Sequence, residues 1–309
     1  MLKRLYKIIH QNRVTISIYV TFLFIAILIF ANKVNMHIDE MLSYKLANND
    51  GIVMDFEEGS TYTPAEQIYL QNLIANNVFE QFNFATVWKN QTNDVHPPLY
   101  YLILHIICSY NVGRFSIWYA AGINIFFAAF TLYILRKLMY LFTDDKVVVE
   151  FCSVLYIISP GILQNVSFLR MYVMAMFWVT LTAYLFVRVH EENFSWKLWL
   201  QIGLAAIAGA LTHYYCIIYL CATCLVFGVC LLIEKRWRDI VALFLYMDVS
   251  AVIAVSVFPA MVRHMFSGYR GTESIENLTK GTGVEQWERI KSFYGFVNNQ
   301  VFGNILGGV

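Results

Sequence analysis

Charged residues are scarce in this sequence: Asp, Glu, Lys and Arg make up 14% of its 309 residues, whereas 59% are hydrophobic. The core of one soluble domain could not bury so much apolar side-chain surface, and the mean hydropathy is +0.55. The scarcity of charge therefore excludes an ordinary soluble domain and indicates a protein that crosses the membrane several times.

The sequence also lacks a basic stripe and a metal-binding cysteine array. Its net charge is +1 and its basic residues form short clusters, so nothing favours a nucleic-acid partner. Cys221 and Cys224 have the spacing of a metal or redox pair, but they lie inside an apolar run without a second pair. We interpret all six cysteines as core or lipid-facing residues.

The first apolar run covers residues 14–32 and is long enough to cross the hydrocarbon layer. A signal peptide would begin in the same way, but the small-residue cleavage pattern is weak and the chain stays hydrophobic after the run. The run is therefore predicted to be a retained first span, with residues 1–13 in the cytoplasm. The basic residues that precede it are Lys3, Arg4, Lys7 and Arg13.

A long loop, residues 33–113, follows the first span. Helical spacing is present over 39–48, and Thr63 followed by Pro64 predicts the start of another helix. The apolar face of that helix suits a position on the membrane surface, and a small soluble cap domain is the alternative. The residues of this face are Ile68, Leu70, Leu73, Ile74, Val78, Phe79 and Phe82.

Residues 99–110 are apolar but too short to span comfortably, so the chain can be threaded in two ways. If they lie flat, the chain has seven spans, and its short cytoplasmic segments hold 12 of the 22 basic residues. Counting them as a span would place the basic clusters at 136–146 and 234–238 outside. We therefore predict the later spans near 114–135, 147–162, 171–187, 198–212, 215–233 and 239–258.

One polar stretch breaks abruptly into apolar sequence: residues 93–101 read Asn-Asp-Val-His-Pro-Pro-Leu-Tyr-Tyr. Asp94 and His96 are titratable groups placed against hydrocarbon, while the two prolines force an extended approach and permit a helix to begin. An ordinary loop-to-helix junction would look the same in isolation. A second acidic pair, Asp39 and Glu40, lies near the start of the same loop and favours the mouth of a site.

With seven spans, the polar residues that are unusual in a membrane protein gather on the exoplasmic side. An ionised side chain at the bilayer centre costs about 2.5–3.5 kcal/mol on insertion scales, so such residues normally face a cavity or a partner. One by one they have simpler explanations, such as an interfacial anchor or an aromatic belt, but together they predict one polar cavity. They are Asp39, Glu40, Asp94, His96, Arg114, Arg170, Tyr172, His213, Tyr214 and Tyr215.

The order of these motifs resembles the GT-C glycosyltransferases. The likeness is closest to the protein O-mannosyltransferase branch, which includes bacterial dolichyl-phosphate-mannose-protein mannosyltransferase-like proteins and the RgtA/B/C/D-like domain. It covers about residues 14–258 and implies an all-α integral membrane fold: a GT-C type helical bundle whose long first exoplasmic loop carries juxtamembrane helices. The motifs are Asp39-Glu40, the string from Asp94 to Leu99, Gly113-Arg114, Ser159-Pro160, Leu169-Arg170-Met171-Tyr172 and Leu211-Thr212-His213-Tyr214.

The resemblance implies an enzyme of the cell membrane that moves a sugar from a polyprenyl-phosphate carrier to a glycan, lipid or protein acceptor at the exoplasmic face. Asp39 would be the base that takes the acceptor's proton, and Glu40 the carboxylate beside it in the catalytic pair. Asp94 and His96 would shape the acceptor and sugar sites. The departing phosphate needs a cation rather than a general acid, and the candidate ligands of the lipid phosphate are Arg170, Arg114, Tyr172 and His213.

Direct displacement with inversion at the sugar carbon is expected, because no second nucleophile stands at a fixed spacing from the base. A divalent metal is left open: Asp39, Asp94, His96 and His213 are suitable ligands but show no tight spacing. Residues 259–309 would form an exoplasmic loop with surface helices. Enzymes of this kind usually carry more spans, so the chain is expected to be truncated, a fragment or a minimal module.

Two other classes of protein have a similar composition. A transporter or flippase of lipid-linked sugars would also have intramembrane charges, but it would more often show paired repeats or helices broken by glycine and proline. A non-catalytic membrane protein fragment would have no reason to gather acids and arginines on one side. Loss of transfer in Asp39→Asn with folding intact would separate the enzyme from both.

Overall fold

The structure is a computed structural model that describes residues 12–51, 63–268, 272–273, 276 and 283–299. The described residues form helices and connecting turns, with no β-strand among them, which confirms the predicted all-α fold. The predicted basic segment before Arg13 and the end of the chain after residue 299 lie outside the described residues. In chain order the helices are α1 (Arg13–Ala31), α2 (Ile38–Asn48), α3 (Pro64–Ile74), α4 (Phe84–Asn93), α5 (Leu99–Ser109), α6 (Ile117–Met139), α7 (Lys146–Ile158), α8 (Pro160–Ser167), α9 (Tyr172–Glu191), α10 (Trp196–Ala210), α11 (Tyr214–Ile233), α12 (Trp237–Val257), α13 (Ala260–Phe266) and α14 (Gly283–Asn298).

Five of the described helices are long and apolar enough to cross a membrane: α1, α6, α9, α11 and α12. Helices α7 and α8 satisfy the same test only together, and they bend by 50° at Ser159. Pro160 accounts for the bend, because proline has no N–H to donate and its ring displaces the carbonyl one turn earlier. The predicted span 147–162 therefore covers only part of a bent pair that continues to Ser167.

Helix α10 has only 15 residues. Contacts between the helices before and after it, α9 and α11, nevertheless show that it runs the length of the bundle. The ring of Tyr172, at the start of α9, lies 5.5 Å from that of His213, just before α11. Near the other end, His190 of α9 lies 2.8 Å from Glu234, just after α11. Helices α9 and α11 are therefore parallel, and α10, which connects them, returns from one end to the other.

The same reasoning defines two ends for the whole bundle. At the end that we call the opposite end, Thr15 of α1 donates to Glu150 of α7 at 2.6 Å, and Arg136 of α6 donates to Glu150 at 2.7 Å. The other end, which holds Tyr172 and His213, is called the site end. The described chain runs between these ends in α1, α6, α7 with α8, α9, α10, α11 and α12. Five of these helices are of membrane length, and the bent pair would make a sixth, so the seven predicted spans remain a prediction.

Helix α5 lies at the site end. Its Leu99 N–H donates to the carbonyl of Leu211, at the end of α10, at 2.9 Å, and its His105 ring lies 2.6 Å from the carbonyl of Ala47 in α2. Eleven residues of helix reach about 16 Å, roughly half of the hydrocarbon thickness. Helix α5 is thus a short apolar helix below membrane length, and its place outside the set of spans stays a prediction.

Helix α3 begins as predicted but ends early. Thr63 and Glu66 form a capping box, and Pro64 occupies the first turn. The predicted continuation to Phe82 is wrong, because the helix ends at Ile74. Two asparagines follow, and asparagine side chains compete with the helix for backbone donors: Asn77 Oδ1 accepts from the Phe79 N–H at 2.9 Å.

The apolar side chains divide between an interior and a lipid-facing exterior. Trp199 of α10 is fully buried, and its indole N–H donates to Asp239 of α12 at 3.0 Å, so the packed interior reaches the opposite end. On the outside, Leu225 of α11 and Val241 of α12 are 72% and 65% exposed. Exposed apolar side chains on helices of membrane length are typical of contact with lipid.

Candidate functional site

Asp39 and Glu40 lie in the first turn of α2, directly after the first membrane helix. His37 caps α2: its Nδ1 accepts from the Asp39 N–H at 3.2 Å, while Glu40 Oε2 accepts from the His37 N–H at 2.7 Å. Carboxylates are favoured in a first turn because the helix N-terminus carries partial positive charge. The sequence His-Ile-Asp-Glu therefore fixes both carboxylates at the site end.

Glu40 is completely buried, and both of its carboxylate oxygens have partners. Besides the His37 contact, Oε1 accepts from the Leu169 N–H at 2.8 Å and lies 3.0 Å from Lys33 Nζ. Glu40 thus joins α2 to the end of α1 and to the turn after α8. Its carboxylate is a structural link in this arrangement rather than a group open to solvent.

Arg170 lies in the turn between α8 and α9 and bridges the two acidic motifs. Its side chain is 6% exposed, whereas that of Asp39 is 41% exposed. Nη1 lies 3.1 Å from Asp39 Oδ2, and Nη2 lies 3.3 Å from His96 Nε2. Nε is buried without a hydrogen-bond partner among the described residues. A buried cation therefore stands behind a half-exposed carboxylate.

The turn that carries Arg170 is also held from α6. Asn124 is buried in that helix, and its Nδ2 donates to the carbonyls of Val166 at 3.0 Å and Phe168 at 2.8 Å. An asparagine facing the interior of a membrane bundle normally needs such partners. The Arg170 turn is therefore fixed by Asn124 on one side and Glu40 on the other.

His96 connects Arg170 to Asp94. Its Nδ1 lies 2.8 Å from Asp94 Oδ2. Because arginine can only donate, Nε2 of His96 must accept from Arg170, so the proton lies on Nδ1 and is donated to Asp94. Burial raises the pKa of Asp94, but the hydrogen bond from His96 and the charge of Arg170 outweigh burial and leave that pKa below its usual range.

His213 adds an aromatic wall to the cluster. Its ring lies 5.9 Å from that of His96 and 5.5 Å from that of Tyr172, and Tyr172 stacks on Phe168 at 5.9 Å. Nδ1 of His213 accepts from the Tyr215 N–H at 3.1 Å and so caps α11. Burial, together with the positive charge of Arg170, lowers the pKa of His213 to about 4. This imidazole is therefore neutral near pH 7.

A polar cavity of about 820 Å³ adjoins the cluster. Lys33, His37, Glu40 and Tyr172 contribute to its walls, and the α8 segment closes it with Gln164, Asn165 and Ser167. Asp39 stands between two of the lining residues in sequence. The sequence interpretation missed Lys33, although a basic residue directly after the first span, on the side opposite to most others, was a signal that could have found it.

Arg114 does not join the cluster. It is exposed in the segment before α6 and makes no ion pair with Asp39, Asp94 or any other described residue. Tyr214 also turns away from Arg170: its hydroxyl lies 2.7 Å from His264 of α13. Its neighbour Tyr215 is 67% exposed, but its ring lies 4.4 Å from that of His213, at the edge of the cluster. Of the predicted polar residues, the structure brings together Asp39, Glu40, Asp94, His96, Arg170, Tyr172 and His213, with Tyr215 against His213.

The four candidate metal ligands do not fit a metal ion. Within the described chain no group of three or more His, Cys, Asp or Glu side chains is arranged to hold one. The guanidinium of Arg170 lies between Asp39 and His96, where a second cation would be repelled. His96 further directs a proton, not a lone pair, toward Asp94. Arg170 therefore supplies the positive charge between Asp39 and His96.

Comparison with known proteins gives one match. The sequence profile described as dolichyl-phosphate-mannose-protein mannosyltransferase matches residues 95–267, which is more than half of the chain. The matched region begins within the Asp94 motif and includes Arg170, His213 and the membrane helices from α6 to α12. No curated protein and no solved structure matches the chain.

Proposed function

The chain belongs to the dolichyl-phosphate-mannose-protein mannosyltransferase family, and we propose that Asp39 is the base with which it transfers a sugar at the exoplasmic face. Family membership makes it a multi-pass membrane glycosyltransferase of the mannosyltransferase type that uses a polyprenyl-phosphate sugar donor. The side of the membrane, the residue roles and the stereochemistry are parts of the proposal.

We assign Asp39 as the base because it is more exposed than the two neighbouring carboxylates, Glu40 and Asp94. Glu40 is buried with both oxygens occupied, and the Asp94 side chain is 18% exposed and bonded to His96. Asp39 is 41% exposed, with Arg170 Nη1 3.1 Å and His37 Nδ1 3.8 Å from its Oδ2. An acceptor hydroxyl can therefore reach Asp39, and Arg170 orients this carboxylate for proton removal.

The donor phosphate is proposed to bind beside the same cluster. A departing phosphate is an anion and is stabilised by fixed positive charge and hydrogen-bond donors. Arg170 retains one unpartnered donor, Nε, and Lys33 faces the 820 Å³ cavity. Tyr172 and His213 lie in contact with each other in the same cluster and remain proposed phosphate ligands, while the exposed position of Arg114 leaves that residue without support as a ligand.

Asp94 and His96 are proposed to shape the sugar and acceptor sites. They are the far end of a chain of contacts that runs from Asp39 through Arg170 to His96 and Asp94. A change at one of them therefore alters the orientation of the guanidinium. We propose the acceptor as a glycan, a lipid or a protein hydroxyl, because the chemistry at Asp39 is the same for each.

We propose that the configuration of the sugar carbon is inverted, because Asp39 is the one accessible carboxylate among the three acidic residues of the site. Retention through a covalent intermediate needs a second carboxylate placed as a nucleophile. Glu40 and Asp94 are both engaged elsewhere, so Asp39 acts alone and the reaction is a direct displacement. NMR of the product would settle the anomer: a product of retained configuration would contradict this part of the proposal.

The proposed layout places the catalytic module within residues 14–258. Residues 1–13 would then lie in the cytoplasm and residues 259–309 would form an exoplasmic loop. The described part of this last segment contains helices α13 and α14. The opposite end of the bundle carries Arg136, Arg188 and Arg236, which supports its cytoplasmic position in the cell membrane.

Transfer of labelled mannose from polyprenyl-phosphate-mannose to native membrane acceptors tests the base. Asp39→Asn should lower transfer by about 10²- to 10⁴-fold, the usual contribution of a general base. The matched control is Asp50→Asn, since Asp50 is an exposed carboxylate of the same loop that lies 2.9 Å from Lys89. Unchanged transfer in Asp39→Asn, with the control also active, would reject Asp39 as the base.

A further inference from the structure

Asp248 stands at the middle of a membrane helix, where the proposed function gives it no role. It follows the first residue of α12, Trp237, by 11 positions and precedes the last, Val257, by 9. At 1.5 Å per residue it lies about 16 Å from one end and about 14 Å from the other, close to the bilayer centre. Asp248 is exposed and has no hydrogen bond or ion pair with any described residue.

The Asp248 side chain lines an apolar groove of about 340 Å³. The groove lies between α10, α11 and α12 and is bordered by α13 toward the site end. Asp248 is the one charged residue of this lining, and many of the others are small: Ala206, Ala210, Ser250, Ala251 and Ala254. Small residues on membrane helices allow another helix backbone to approach closely.

We propose that this groove binds a transmembrane helix of a partner polypeptide, which places a lysine or arginine opposite Asp248. A carboxylate at the centre of the hydrocarbon layer is unfavourable unless it has a partner, and intramembrane carboxylates normally face one. A basic side chain at the same depth would form that ion pair. The small residues beside Asp248 would let the partner helix pack against α10 and α12.

The negative charge of Asp248 argues against two other occupants of the groove, a second copy of this chain and a lipid phosphate. A second copy of this chain has no basic residue at that depth, because every Lys and Arg within the described spans lies within four residues of a helix end. Such a contact would bring two Asp248 carboxylates together. A lipid phosphate carries the same sign of charge as Asp248 and would be repelled. The partner must therefore contribute positive charge of its own.

The full-length chain in liposomes can be tested with two labelled peptides. Each is a leucine- and alanine-rich helix of about 20 residues, long enough to span the bilayer, with either one lysine or one more leucine at its centre. Energy transfer should show that the lysine peptide binds about tenfold more tightly, which is the size of one good interhelical pair. Asp248→Asn should remove this preference.

The control variant places a polar amide on the same helix outside the groove. Leu245→Asn changes a 57% exposed residue of α12 that does not line the groove, and it should keep the preference for lysine. Equal binding of both peptides by the unmodified chain would overturn the proposal. A lysine preference that survives Asp248→Asn would overturn it as well.

A photo-crosslinker at Ala251 in native membranes tests the identity of the partner. The expected product joins this chain to a membrane helix that carries a basic residue near its centre. Attachment to a second copy of this chain, or to lipid alone, would contradict the proposal. A crosslinker at Leu245 serves as the matched position outside the groove and should give lipid adducts.

Discussion

Asp39 and Arg170 are 131 positions apart in the sequence, yet the carboxylate and the guanidinium meet at 3.1 Å. The neighbouring Glu40 contacts the same turn through the Leu169 N–H but is completely buried. Two adjacent acidic residues thus have different environments: one carboxylate is open to solvent and the other is enclosed. The first is the proposed base, whereas the second links α2 to the turn before Arg170.

Arg170→Lys should reduce sugar transfer by about 10²-fold, comparable to the loss of one preorganised donor. A lysine ammonium on a flexible chain cannot hold Asp39 and His96 together as a planar guanidinium does. Transfer rates in membranes with equal amounts of protein provide the measurement. Arg188→Lys, which alters an arginine at the opposite end paired with Glu192, should leave transfer unchanged. Full activity of Arg170→Lys would show that the planar guanidinium, with its two contacts to Asp39 and His96, is not needed for transfer.

Glu40→Ala should lower the free energy of unfolding by about 3 kcal/mol, because removing one member of a buried ion pair leaves the other unpaired. The Lys33 ammonium and the Leu169 N–H would both lose their acceptor. Glu66→Ala is the comparison: it removes an exposed capping contact of α3 and should have a much smaller effect on the free energy of unfolding. If Glu40 acted only on substrate, transfer would fall while thermal unfolding in detergent stayed the same.

Arg136→Met should destabilise the fold by about 3 kcal/mol or more, since it leaves the Glu150 carboxylate buried without its cation. The double variant Arg136→Met with Glu150→Leu should recover most of that loss, because two apolar side chains replace the pair. Transfer per folded molecule should remain normal in both, as this pair lies at the opposite end. The double variant being less stable than the single one would contradict this account.

Acidification should destabilise the protein through His213. Its pKa in the folded protein is about 4, below the ordinary value of 6.5, so the unfolded chain takes up this proton first. Stability is therefore unaffected above pH 6.5 and falls as the pH decreases from 6.5 to about 4, by about 3 kcal/mol for the whole shift. The lowered pKa of Asp94 adds a loss only below its ordinary value of 3.8.

The variant His213→Asn isolates this contribution. Asparagine retains an oxygen that can accept from the Tyr215 N–H and cap α11, but it does not titrate. Unfolding measured between pH 7 and pH 4.5 should therefore change less with pH in the variant than in the unmodified protein. Parallel stability curves would show that His213 does not cause the loss.

Sequence patterns located the long apolar helices because bilayer thickness imposes a length on them. The apolar run at 14–32 became α1, and the runs near 215–233 and 239–258 became α11 and α12. The bend at Ser159 was less visible, since the run continues in composition through Pro160. The composition of the run shows only that it is hydrophobic. The bend depends on a single backbone N–H, which Pro160 lacks.

The candidate site was only partly predictable. The order of motifs brought Asp39, Asp94, His96 and Arg170 to one end, but sequence could not show that Glu40 is enclosed or that Arg114 stands apart. These facts depend on contacts such as that between Glu40 and Leu169, which are 129 positions apart. The sequence around Asp39 and Glu40 does not indicate which of these two carboxylates a distant turn will cover.

Asn124 fixes the turn before Arg170 through the carbonyls of Val166 and Phe168. The arrangement of Asp39, Arg170 and His96 is thereby assembled during folding. In the proposed reaction, less reorganisation is then required when donor and acceptor meet, and their binding energy remains available for aligning the atoms that react. A single amide inside the bundle thus prepares the proposed site without taking part in its chemistry.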